Sequence, residues 1–90
     1  MGEPLSVSVQ QTPNVNALKF VLNRRITEGR SETFTDPGNA ASPLARQLLE
    51  IPGIRQVFFL NDFITLTRTE GADWDVIVPR AESLIRQHLS

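Results

Sequence analysis

The chain has 90 residues, nine basic and ten acidic side chains, one histidine and no cysteine, for a formal net charge of −1. Without thiols it cannot form disulfides, zinc–thiolate sites or a cysteine nucleophile, and so near-neutral a balance argues against a nucleic-acid partner. No apolar run approaches the ~20 residues of a membrane span, and Met1-Gly2-Glu3-Pro4 lacks the basic and apolar regions of a signal peptide. Met1-Gly2 with Ser6 matches only the letters of a myristoylation signal. The expectation is a single domain over 1–90, in a reducing, cytoplasmic setting, with no membrane contact.

Leu5 to Val9 alternates apolar and polar residues, the signature of a half-buried strand. Thr12-Pro13-Asn14-Val15-Asn16 is turn chemistry. Ala17 to Asn23 alternates again, with Leu18, Phe20 and Leu22 on one face, so the first two strands can form a hairpin. Arg24 to Arg30 reads as a polar loop, Ser31 to Thr35 as a short strand around Phe34, and Asp36-Pro37-Gly38-Asn39 as a second turn. Ser42-Pro43 opens a helix, because serine caps orphan N–H groups and proline at the first position has none to waste. Leu44, Leu48 and Ile51 give that helix its buried stripe, and Pro52-Gly53 stops it.

Ile54 to Leu60 and Phe63 to Arg68 read as a second hairpin around Asn61-Asp62, with Asp62 a turn residue able to adopt positive φ. Asp73 is the expected N-cap of the last helix, whose stripe is Trp74, Ile77, Val78, Ala81, Ile85 and Leu89. Pro79 falls inside that helix and costs it one hydrogen bond. The order ββ(β)αββα predicts an α+β two-layer sandwich, a four- or five-stranded, mainly antiparallel sheet with two helices on one face. The other face is then left at least partly open.

Certain phrases in the chain are more specific than its periodicity. Gln11-Thr12-Pro13-Asn14-Val15-Asn16-Ala17-Leu18-Lys19-Phe20, Ser42-Pro43-Leu44-Ala45, Ile51-Pro52-Gly53-Ile54 with Val57-Phe58-Phe59, Asp62-Phe63-Ile64-Thr65 and Gly71-Ala72-Asp73-Trp74 follow one another in order. In these phrases the chain resembles the N-terminal domain of the Nfu/NifU-like iron–sulfur cluster scaffold family. Val15 departs from the pattern, where the family often has a second proline. The resemblance implies a role in iron–sulfur cluster assembly. It also implies that the cluster sits on a separate domain with a Cys-x-x-Cys motif, which these residues do not contain. The chain is accordingly expected to be a free-standing N-domain or a piece of a longer protein. No cluster ligand carries over, since thiolates are the usual ligands.

The candidate partner-binding residues are Asn14, Asn16, Phe58, Phe59, Asp62 and Phe63, each with a plainer reading beside it. Asn14, Asn16 and Asp62 are recognition residues or simple turn formers. Phe58 and Phe59 must point to opposite faces of their strand, so one belongs to the core and the other to the open face or beneath a loop, where it would anchor a partner. Arg24, Arg25 and Arg30 form a basic loop, solvated or facing an acidic surface. Trp74 reads as a packing anchor. No catalytic constellation, phosphate loop or metal-ligand spacing emerges.

The expected function is thus a non-catalytic protein-interaction domain that docks to client apoproteins or a Cys-x-x-Cys cluster carrier. Iron or an iron–sulfur cluster would be held by the partner, and the chain would be a monomer or weak homodimer. The alternatives are direct iron binding through Asp62, Asp73 and Asp75 with His88, or a ligand-binding module unrelated to clusters; Glu70 joins Asp73 and Asp75 as an oxygen donor, with helix capping as the plainer role of that group.

Overall fold

The computed structural model describes residues 4–89, so the Met1-Gly2 reading lies outside the described residues. Five strands and two α-helices follow in the order β1 (Val7–Gln11), β2 (Ala17–Leu22), β3 (Ser31–Phe34), α1 (Pro43–Leu49), β4 (Ile54–Leu60), β5 (Phe63–Arg68) and α2 (Trp74–Leu89). A single 3-10 turn, Pro37–Asn39, precedes α1. The strands form one sheet in the order β1-β2-β5-β4-β3, with every neighbouring pair antiparallel. This is the α+β arrangement that the order of elements predicts, with five strands.

Three details differ from the sequence reading. β1 begins at Val7 and runs to Gln11. Ahead of it, the Asn23 side chain accepts from Ser6 N–H and donates to the Pro4 carbonyl, so a side chain replaces the ladder there. α1 ends before Ile51, since the residue preceding Pro52 is disfavoured in helical geometry. Of the two residues in the Asn61-Asp62 turn it is Asn61, not Asp62, that takes positive φ, at 53°, a residue type that tolerates left-handed backbone.

The expected caps are present. Ser42 Oγ accepts from Ala45 N–H, and Asp73 Oδ1 accepts from Asp75 N–H, each satisfying an orphan donor of a first helical turn. Pro79 lies within α2.

Strand alternation divides the sheet into two faces. The inner face presents Phe20, Leu22, Val57, Phe59, Ile64 and Leu66, all buried in one cluster with Leu44, Ala45 and Leu48 of α1 and Ile77, Ala81 and Ile85 of α2. Phe34 packs edge-on against Phe59 at 5.3 Å between ring centroids. The large buried side chains lie in this layer, leaving the outer face of the sheet without a helix.

Candidate docking surface

The outer face is read from the pairing register. Val21 lies opposite Phe63 and Lys19 opposite Thr65 across β2 and β5, while Phe58 lies opposite Thr65 and Leu60 opposite Phe63 across β5 and β4. Val21, Phe58, Leu60 and Phe63 are half-buried and stand outside the core cluster. They shield one another rather than being covered by another element. The rings of Phe58 and Phe63 are 6.2 Å apart and tilted by 42°. Lys19 Nζ sits 4.2 Å from the centroid of the Phe63 ring, close enough for an attraction of about 0.5–1 kcal/mol at an accessible site.

Around this centre the face carries Ser8 and Gln10 on β1, Thr65 and Thr67 on β5, Gln56 on β4, and Ser31 and Thr33 on β3. Among the positions the pairing register places on this face Lys19 is the one charge, Arg55 being exposed at the irregularity of β4 beyond Gln56, and among the described residues Lys19 has no carboxylate in salt-bridge range. An apolar strip with a neutral polar rim and a single cation can bind another protein surface.

The structure separates the six sequence candidates. Phe58 and Phe63 share the outer face. Phe59 turns inward and is 6% exposed, so a partner cannot touch it. Asn14 and Asn16 belong to the β1–β2 turn, where Asn14 Oδ1 accepts from Asn16 N–H and Asn16 Oδ1 accepts from Arg68 Nε. Asp62 belongs to the β4–β5 turn, whose backbone meets Leu22. Because Ala17 pairs with Thr67 and Val21 with Phe63, the two turns lie at opposite ends of the sheet. At about 3.3 Å per residue they are roughly 20 Å apart, so no single small contact can include both.

The proposed iron donors are dispersed in the same way. Asp73 and Asp75 begin α2, whereas Asp62 and His88 lie toward the other end. His88 Nε2 is 3.2 Å from Gln47 Oε1. Among the described residues, no group of three or more His, Asp or Glu side chains is placed to hold a metal ion. In the basic loop, Arg24 donates to the Leu89 carbonyl at the end of α2, a capping role. Trp74 packs against the core as expected and donates Nε1–H to the Val15 carbonyl at 3.3 Å.

Sequence reasoning missed Lys19, Val21 and Leu60. Their signal lay in the odd-numbered half of the β2 alternation and in the even-numbered half of β4. It becomes meaningful only when β5 is known to lie between those strands.

The comparisons with known proteins agree with this architecture. Residues 7–90 match the family model described as scaffold protein Nfu/NifU N terminal. A human protein named as a mitochondrial NFU1 iron-sulfur cluster scaffold homolog is 45% identical over 75 residues, covering 81% of this chain and 30% of that protein. A NifU-like protein of Schizosaccharomyces pombe is 40% identical over 84 residues, covering 90% of this chain and 32% of that protein. The chain therefore spans about a third of the length of these curated relatives. Among solved structures, the NifU-like protein of Saccharomyces cerevisiae superposes with a TM-score of 0.83 at 26% identity, covering 94% of this chain and 78% of that one. Protein SAV1430 of Staphylococcus aureus superposes at 0.80 with 25% identity, covering 88% and 96%. No helix of the described residues is long and apolar enough to cross a membrane.

Proposed function

The chain belongs to the Nfu/NifU N-terminal scaffold family, and we propose from that membership that it is a non-catalytic docking domain in iron–sulfur cluster assembly. It holds client apoproteins or a cluster carrier while the cluster stays on thiolates supplied by a Cys-x-x-Cys partner. The observation that carries this reading is the helix-free face of the sheet, with Phe58 and Phe63 side by side and Lys19 over the ring of Phe63. Aromatic anchors beside a lone cation, within a neutral rim, are the features of an interface centre. With no thiol in the chain, cluster chemistry falls to the partner. Asn14, Asn16 and Asp62, at the two ends of the face, border the contact rather than forming its centre. The reducing setting in which such clusters are built is, in the simplest case, the cytoplasm. The mitochondrial relative marks the other compartment to test by fractionation.

The test is an anaerobic pull-down with the wild-type domain and with Phe58→Glu and Phe63→Glu variants as baits, read by mass spectrometry. Circular dichroism should first show that both variants are folded. Enrichment of iron–sulfur proteins or a Cys-x-x-Cys carrier by the wild type, lost in both variants, supports the reading. Enrichment of proteins without a link to iron, or enrichment that both variants retain, overturns it.

A further inference from the structure

The two edges of the sheet are not equivalent. Leu22 N–H donates to the Asp62 carbonyl, which directs the even-numbered backbone groups of β2 toward β5 and the odd-numbered ones toward β1. With Ser8 opposite Val21 and Gln10 opposite Lys19, those two residues of β1 form the hydrogen-bonded pairs. The N–H and C=O groups of Val7, Val9 and Gln11 therefore point outward. Among the described residues nothing pairs with them, since β1 ends the sheet. Edges are commonly blunted by lysine, proline, a bulge or a covering element. β1 reads Val-Ser-Val-Gln-Gln and has none of these. At the other edge, β3 is only four residues long, and the same register argument leaves it just Ser31 and Thr33 facing outward.

A second feature adjoins the open edge. A recess of about 180 Å³ lies at the C-terminal end of β1, lined by Gln11, Thr12, Ala17, Leu18 and Trp74 among others. Apolar Val15, Ala17, Leu18 and Trp74 share its lining with polar Gln11, Thr12 and Asn14, and its size suits one aliphatic side chain. Trp74 is fixed there by its bond to Val15, and the turn above is held by Thr12, whose hydroxyl accepts from Asn14 N–H.

We propose that the β1 edge binds an extended, uncharged segment of a partner protein as a sixth strand. Its main chain pairs with Val7, Val9 and Gln11, and one aliphatic side chain enters the recess beside Trp74. In this mode of recognition, backbone hydrogen bonds provide affinity and a pocket for an alternate side chain provides selectivity. A second copy of this chain fits less well. Pairing β1 with itself about Val9 would place the other copy's Val7 next to Gln11, but Val7 is already packed on its own core, so the recess would stay empty. This site is separate from the outer face and does not depend on the docking role proposed for it.

The probe is a displayed library of random heptapeptides, selected against the folded domain. The peptides recovered are then titrated into ¹⁵N-labelled protein. The expected result is enrichment of uncharged sequences of alternating pattern with one recurrent aliphatic residue. The shifts should be centred on the amides of Val7, Val9 and Gln11 and the Trp74 indole. Val9→Pro removes only an outward donor and should weaken binding roughly tenfold with the spectrum of the fold retained. Val9→Lys, which leaves the backbone donor in place, should also weaken it. The proposal is overturned by a failure to enrich any sequence, by shifts centred on Lys19 and Phe63, or by unchanged affinity in both Val9 variants. It is equally overturned if the same amides shift with protein concentration alone, which would mean that a second copy occupies the edge.

Discussion

Thr27 is the one buried polar side chain among the described residues, at 7% exposure, and its hydroxyl accepts from Asn61 N–H at 2.7 Å. The Asn61 carbonyl accepts in turn from Ile26 and Thr27, and its side chain accepts from Gly29 N–H. Together these bonds fasten the loop after β2 to the turn between β4 and β5. Thr27→Val keeps the shape but strands a donor, so it should cost about 1–3 kcal/mol, measured by urea denaturation at constant m-value. A change below a few tenths would mean that water replaces the hydroxyl. Gly53 is constrained differently. Its φ is +99°, and a Cβ there would lie 2.8 Å from Ala72 Cβ. Gly53→Ala therefore meets both backbone strain and a collision, and should lose at least about 2 kcal/mol. Gly71, also at positive φ but with open space around it, should lose less on the same substitution. Equal losses at the two sites would show that conformation alone, without the contact, sets the cost.

At the scale of elements, proline at the two helices has opposite consequences. Pro43 opens α1, where no N–H is needed, whereas Pro79 sits inside α2 and leaves the Asp75 carbonyl without its helical donor. Pro79→Ala should therefore stabilise the protein by about 1–3 kcal/mol, seen as a higher midpoint in thermal unfolding. Pro79 also lines a surface groove of about 630 Å³ between α1 and α2, with Ile51 and Leu84. A loss of stability on substitution would show that its ring supports that groove more than its backbone harms the helix. The elements were largely legible because their signals are local: the Ser42-Pro43 start, the Pro52-Gly53 stop and the alternation in β2 and β5. The start of β1 was misjudged because Asn23, well away in sequence, satisfies the backbone at Ser6 and Pro4. Which residue of the Asn61-Asp62 turn takes positive φ is not legible locally, because both residue types accept that geometry; it is Asn61, whose N–H is held by Thr27.

For the whole molecule, topology governs what single residues can do together. Phe58, Phe59 and Phe63 are legible as a cluster around one short turn, but which of Phe58 and Phe59 turns outward beside Phe63 is decided only by the pairing register. Lys19 joins the outward pair only because β5 lies between β2 and β4, a pairing of distant segments that no local pattern announces. The same topology spreads the carboxylates that looked like iron donors. Asp73 and Asp75 lie at the start of α2 and Asp62 at the opposite end of the sheet. A divalent cation needs several oxygen ligands converging at about 2–2.6 Å, and a sheet held by continuous antiparallel pairing cannot fold its ends together to supply them. Anaerobic calorimetry with ferrous iron should therefore detect no site tighter than millimolar, and added chelator should leave the thermal midpoint unchanged. A ligand present at a hundred times its dissociation constant adds about 2.7 kcal/mol to the stability of the state it binds, so a tight structural metal would shift that midpoint by several degrees. A shift of that size on chelation would require ligands brought together by a second chain, and the domain would then be a half-site rather than a docking surface.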